Sequence, residues 1–336
     1  LFSFTGLGEN HFEEYFMIKK LVWLLLACFC VLGCAACGNK QTTTAAGAYT
    51  VTDATGHKVV MKARPMRIVS LNVSTDEILY KLVGTDRIAA FSKLADNNGI
   101  STIPKDALQK VKLRVDAHST EALLAARPDL VLVADWRDKN LAESLRGVGV
   151  NVFVYKTPTS IKDIENTIQQ IGTITGDDAK AKAMVQDMET TLTKIKEKLG
   201  TIPKEEQVKV VALSFMGAFG GKDTTFADEC QYAQVRNMLL EANVGVASEV
   251  TKEAIVKMNP DLLIMPSWDF GEKRSAKEFL EQTLNDPALQ SVTAIQKKNL
   301  YQMHDAYLYS TSQESVHAVE ELALAAYPKK FAAAGK

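Results

Sequence analysis

Cysteine is scarce and poorly placed for cross-linking in these 336 residues: four of the five lie between Cys28 and Cys37, and Cys230 stands alone. That distribution excludes a disulfide-stapled scaffold. Charge of one sign is missing as well, with 39 Lys and Arg against 40 Asp and Glu, so the basic footprint of a nucleic-acid binder is absent. The apolar run Leu21 to Val31, eleven residues, is well short of the roughly 20 that a spanning helix needs. Beyond the N-terminal region there is no GxGxxG, GxSxG or HExxH and no paired CxxC. Gly217-Ala-Phe-Gly-Gly-Lys222-Asp223 has the wrong spacing for a phosphate loop and ends on Asp where Ser or Thr is required. What remains, 46% hydrophobic and 24% charged, is globular, and its length suits about two domains.

The N-terminal region reads as an address. Lys19-Lys20 before Leu21 to Val31 has the layout of an export signal over 17–33. Val31-Leu32-Gly33-Cys34 is similar to the lipobox of bacterial lipoproteins, so Cys34 is the expected lipidated residue, with Cys37 a competing frame and an uncleaved anchor the alternative. Residues 1–16 lack Met and carry Glu9, Glu13 and Glu14, which suits no secretory n-region; an upstream extension with translation from Met17 is expected. Small polar residues over 34–48 read as a flexible tether. The expected address is extracytoplasmic, on the membrane through a lipid.

From Tyr49 the chain alternates strand and helix. Tyr49 to Asp53 and Lys58 to Met61 read as a hairpin around Gly56. Arg67–Leu71, Arg87–Phe91, Leu130–Val133 and Val150–Val154 read as buried strands, and Ser74 as the N-cap of the first helix. Between Asp177 and Leu199, apolar residues recur every three or four positions without Gly or Pro, predicting a helix of about 33 Å. Further strands follow at Val208–Leu213, Leu262–Met265 and Leu300–Met303, and an amphipathic helix at Glu314–Ala326. The expected fold is α/β: two Rossmann-like lobes with mostly parallel sheets, at 49–176 and 201–333, joined by one long helix over 177–200.

The sharpest signal is a repeat. STEALLAARPDLVLVADW at 119–136 and TKEAIVKMNPDLLIMPSW at 251–268 share Glu, Ala, Pro, Asp, Leu and Trp in register. Helix, Pro-Asp turn and buried strand recur, which implies duplication. Trp136 and Trp268 then fall past the carboxyl ends of matching strands, the edge where open α/β sheets bind ligands. Two facing lobes would turn both indoles onto one cleft, and Glu121 and Glu253 would start matching helices.

Phe215, Phe219, His304, Tyr307 and Tyr309 add aromatic surface, which suits a large, flat, partly apolar ligand. The histidines His57, His118, His304 and His317 have no chelating spacing, so neither metal nor cofactor is expected. A bound-ligand receptor is the expected class. The competing class is an exported enzyme with His118 or His304 as base, for which no acid/base constellation is visible.

Val51-Thr-Asp-Ala-Thr-Gly56, Arg67 to Leu71, the two Glu-to-Asp units and Ala318 to Pro328 together resemble the periplasmic binding proteins for iron chelates and vitamin B12, from about Tyr49 to Phe331. The resemblance implies a monomeric receptor that delivers its ligand to an ABC permease, with Glu121 and Glu253 as docking acids; the bland role for both is charge complementarity at a helix N-terminus. Trp136-Arg137-Asp-Lys-Asn140 is similar to the Trp-Arg-x-x-Asn stretch of the family's vitamin B12 binders, and Phe215-Met-Gly217 to their Phe-x-Gly. This favours a corrinoid. Arg137, Arg236, Arg274, His304, Tyr307 and Tyr309 keep a ferric siderophore open, and haem is the third option. Trp136, Arg137, Phe215, Phe219, Trp268, His304 and Tyr307 are the ligand-binding candidates.

Overall fold

The computed structural model describes residues 47–116, 119–136, 139–215, 217–245, 250–269 and 274–332. The export signal, Cys34, the tether, His118 and Arg137 lie outside them. No helix among the described residues is long and apolar enough to cross a membrane. A hairpin of β1 (Tyr49–Thr52) and β2 (Lys58–Met61) precedes two parallel sheets.

The first sheet has the order β5-β4-β3-β6-β7, from β3 (Ile68–Ser70), β4 (Ile88–Ser92), β5 (Arg114–Val115), β6 (Leu130–Ala134) and β7 (Val152–Tyr155), all parallel. The second has the order β10-β8-β11-β12, from β8 (Lys209–Ser214), β10 (Arg236–Asn237), β11 (Leu262–Pro266) and β12 (Leu300–Met303); β9 (Gly217–Phe219) folds back antiparallel on β8. β6 and β11 are buried along their whole length, as strands covered by helices on both faces must be.

The duplication is visible bond by bond. Ser119 Oγ and Thr251 Oγ1 each accept from the backbone N–H three residues on, both at 3.2 Å, capping the helices Thr120–Ala125 and Lys252–Met258. Arg127 and Asn259 both leave their helix in a left-handed turn, φ 46° and 42°, ahead of Pro128 and Pro260. The Asp129 carboxylate accepts from the N–H groups of Met66 and Arg67, and that of Asp261 from Lys209. Asn151 and Asn299 then donate to the carbonyls of Asp129 and Asp261 at 3.0 and 2.7 Å. The Pro-Asp turn therefore stitches the central strands of each lobe in the same way.

The helix Asp178–Leu199 follows the first sheet and leads into the second, burying Ala181, Val185, Met188, Leu192, Ile195 and Leu199 against the helices Ile161–Thr175 and Ser315–Ala326. Gly172 is what admits the first turn, because a Cβ there would come within 2.3 Å of the Ala181 methyl. Asp177, just ahead of the helix, is occupied by Arg87 at 2.6 Å and by Arg64. One cap differs from expectation. Asn72, not Ser74, caps the helix Val73–Val83, accepting from Thr75 N–H at 2.9 Å, and Ser74 is left for another use.

Glu229, in the helix Thr225–Tyr232, is wholly buried with neither carboxylate oxygen hydrogen-bonded among the described residues. Burial holds its carboxyl well above the usual range, with Asp228 adding to the effect. Glu229→Met is expected to raise stability by about 1–3 kcal/mol, since it removes an uncompensated polar group at nearly constant volume. Calorimetry should find a melting temperature several degrees higher; a lower one would reveal a stabilising partner for the carboxyl.

Candidate functional site

The carboxyl ends of both sheets open onto one cavity of about 400 Å³. The first lobe supplies Val73 and Ser74 past β3, Leu94 past β4, and Ile100; the second supplies Ser214 and Phe215 from the end of β8, Phe219 of β9, Trp268 past β11, Arg274, and Asp305, Ala306, Tyr309 and Ser310 past β12. Each parallel strand ends in a loop at the same edge of its sheet, so the topology gathers these residues, and Phe219 comes from β9, which folds back on β8 at that edge. A larger depression of about 630 Å³ runs along the long helix past Glu165, Leu192, Lys196 and Tyr232, but its lining draws nothing from the strand ends.

Most of the wall is apolar. Phe219 packs edge-on against Tyr309 with centroids 4.8 Å apart, and Phe215 leans on Phe279 at 5.2 Å, contacts that hold the rings in the wall. Arg274 is the cation among the described lining residues, with its guanidinium 3.4 Å from the Phe215 carbonyl. The acid, Asp305, is 2% exposed and turned into the wall, where its carboxylate accepts from the N–H groups of Ser267 and Trp268, both at 2.7 Å, and from Ser267 Oγ at 2.9 Å. Burial raises the Asp305 carboxyl, while those donors pull it the other way. Burial also pushes the Tyr309 phenol up, with Asp305 adding to it, so it remains a neutral hydroxyl. No Cys, His or Lys is among the described lining residues. The site can hold a broad apolar face and one anionic group.

Of the residues singled out from sequence, Phe215, Phe219 and Trp268 meet in this cavity, together with Arg274 and Tyr309 from the siderophore alternative. Trp136 does not join them. Its ring is 60% exposed and outside the lining. The two lobes treat the matching positions differently: Asp305 draws in the backbone of Ser267 and Trp268, whereas Asp135 is itself an acceptor, from Thr157 N–H at 2.9 Å. His304 is also outside, because its backbone N–H donates to Glu321 at 3.0 Å and its Nδ1 is bound to the same carboxylate. Tyr307 falls on the far side of the short helix Asp305–Leu308, its ring between His304 and His317 at 5.6 and 5.2 Å. Tyr307 lines a separate cavity of about 180 Å³. Leu94 and Ile100 were missed; Val73, Ser74 and Ser310 could have been found by reading the loop past every strand.

The floor of the cleft is held by bonds between lobes. Ser74 Oγ accepts from Thr311 N–H at 3.0 Å, and Glu77 accepts from Ser312 Oγ at 2.7 Å. Glu121 and Glu253 are both exposed, each the second residue of its helix. Hydrogen bonding at the helix start, from its own backbone and the Thr251 side chain, holds the Glu253 carboxyl below the usual range.

Comparison with known proteins agrees with this architecture. An ABC transporter substrate-binding lipoprotein of Bacillus subtilis, YvrC, is 27% identical over 323 residues, covering 92% of this chain and 98% of its own. The vitamin B12-binding protein of Vibrio parahaemolyticus is 32% identical over 143 residues, 41% of this chain and 48% of its own. Among solved structures, a protein of Staphylococcus epidermidis described as a possible iron-binding, periplasmic solute-binding protein superposes with a TM-score of 0.65 at 25% identity, over 79% of this chain and 99% of its own. A family model described as periplasmic binding protein matches residues 68–307, and with that span, both sheets and most of the interlobe cavity included, the chain belongs to the periplasmic binding protein family.

Proposed function

We propose that this protein is the substrate-binding lipoprotein of an ABC importer, anchored outside the cytoplasm through Cys34, which captures an iron–siderophore or cobalamin-type ligand between its lobes and hands it to the permease. The observation that carries the reading is the cavity shared by two facing sheet edges, with aromatic walls and Arg274 beside them. An aromatic wall takes up the flat face of a macrocycle or chelate, and the guanidinium takes a carboxylate or phosphate on its rim. Haem, with a flat ring and carboxylate arms, satisfies the same chemistry and is the alternative ligand. The B. subtilis and V. parahaemolyticus relatives support the transport role and the corrinoid class, and the S. epidermidis structure supports iron. As a binder the protein should release its cargo unchanged; His304, one of the two bases an enzyme reading would use, is tied to Glu321 outside the cavity.

Tryptophan quenching against cobalamin, haem and a panel of ferric siderophores is expected to find one ligand with submicromolar affinity, recovered intact by mass spectrometry. Arg274→Ala should weaken it by at least tenfold, as loss of one charge-assisted contact to an anionic group does. Failure of every compound on the panel to bind would overturn the ligand class, and conversion of any of them would overturn the binding role.

A further inference from the structure

Gly99 belongs to the first lobe and Trp268 to the second, yet the two touch. A Cβ placed on Gly99 would lie 2.0 Å from Trp268 Cδ1, 2.3 Å from Cγ and 2.8 Å from Cβ, all far inside van der Waals contact. The backbone of Gly99 is outside the left-handed region, so the glycine here answers to space and not to conformation. We propose that Gly99 is a positioning residue for the binding cavity: by carrying no side chain it lets the Trp268 indole cross the cleft and rest on the first lobe, where the ring becomes the wall that sets the cavity's width. The inference deepens the binding role proposed above and rests on it.

Both backbones are tied down where they meet. On the first lobe, Asn97 Oδ1 accepts from Gly99 N–H at 3.0 Å, and the Asn97 carbonyl accepts from Ile100 and Ser101 at 3.1 and 2.9 Å. The chain just beyond is tied down by Glu77, which accepts from Thr102 N–H and Oγ1, both at 2.9 Å. On the second lobe, the Trp268 N–H is held by the buried Asp305 carboxylate. A side chain at position 99 meets Cδ1 and Cγ, which the torsions of Trp268 can carry away, and Cβ at 2.8 Å, which they cannot, so the indole must swing aside while the tied main chains give by a few tenths of an ångström. Ile100, next to the contact, lines the cavity together with Trp268, so the ring's position fixes the gap between the two lobes' walls. A wall already in place is preorganised, which avoids the cost of ordering it when ligand enters.

The test uses the full chain with Trp23→Phe and Trp136→Phe, which leaves Trp268 as the sole indole of the three. Without any ligand, Gly99→Ala in this background is expected to raise the acrylamide quenching constant at least twofold and to shift the emission to the red. That readout is independent of cargo, so it stands or falls apart from the binding role itself. With whichever panel compound binds the parent, Gly99→Ala should weaken affinity at least tenfold, and in a Trp268→Ala background the same change should alter it by less than twofold. Should Gly99→Ala fail to fold, adding Trp268→Ala should restore the circular dichroism melt. Unchanged quenching, losses that multiply in the double variant, or a fold that the second substitution does not rescue would each overturn the proposal.

Discussion

Uptake is expected to stop when Glu121→Ala and Glu253→Ala are combined, with the affinity for ligand unchanged. In a strand–helix–strand unit the helix runs back against its strands, so helix N-termini share an edge with strand carboxyl ends. Both acids consequently flank the mouth of the cleft, one on each lobe, at equivalent positions behind Ser119 and Thr251 caps. They are exposed and make no part of the cavity lining, so cargo binding has no need of them. A permease that presents one arginine to each acid would find both lobes at a fixed spacing and orientation, and charge-assisted pairs of this kind set docking register and on-rate. Alanine preserves the helices, whose caps remain. Single variants should fall between the extremes, and each should show a weaker salt dependence of transport than the parent. Radiolabelled uptake set beside ligand titration separates the two steps; normal transport by the double variant would remove both acids from docking.

The parts of this molecule that were legible in its sequence are those written in local chemistry. The Pro-Asp turn could be read twice because Pro ends a helix and Asp accepts backbone donors wherever they occur, and the structure shows Asp129 and Asp261 doing so on equivalent strands. Phe215 and Trp268 were legible for a related reason: each follows a buried strand, and topology carries such residues to one edge. Trp136 satisfies the same rule yet lies outside the cavity, because the rule says nothing about which loop a distant carboxylate will draw inward. Ser74 was misread as a cap since its side chain is spent on Thr311, 237 positions away, a partner that no window of sequence contains. Gly99 and Ile100 were invisible for the same cause. Their loop matters only through what the other lobe lays against it.

Between pH 8 and pH 5 the protein is expected to gain stability as acid is added, and a leading source is a pair of neighbouring carboxyls at the base of the cleft. Asp76 is wholly buried and accepts from Ser70 Oγ, Ser92 N–H and Ser92 Oγ; Glu77 is 1% exposed and accepts from Thr102 and Ser312. Burial is the leading cause that lifts each of them to about 7, with Glu77 adding to Asp76 and Glu314 adding to Glu77. A carboxyl raised in the folded state holds a proton that the unfolded chain has already released, so its contribution is complete below about pH 4 and is lost as pH climbs through 7. Acidification from pH 8 to pH 5 recovers much of it, on the order of 4 kcal/mol for the pair at about 1.4 kcal/mol per unit. The Glu229 and Asp305 carboxyls, raised by burial, act in the same direction, whereas Asp53, Asp163, Glu241, Glu253 and Asp286 shift downward and their effects fall below this window. Glu77→Gln should lower the slope by Glu77's own share, Asp76, Glu229 and Asp305 keeping the rest, and stabilise the protein at pH 8, because an amide can still accept from Thr102 and can donate to Ser312 Oγ. Urea midpoints at pH 8, 6.5 and 5 decide the matter: an unchanged slope in Glu77→Gln, or stability that rises with pH in the parent, would refute it. Since the Glu77–Ser312 bond joins the two lobes, the same titration acts on the contact between them, and Glu314, which lines the same small cavity as Glu77, Tyr80, Lys81 and Tyr307, adds to the upward shift of Glu77.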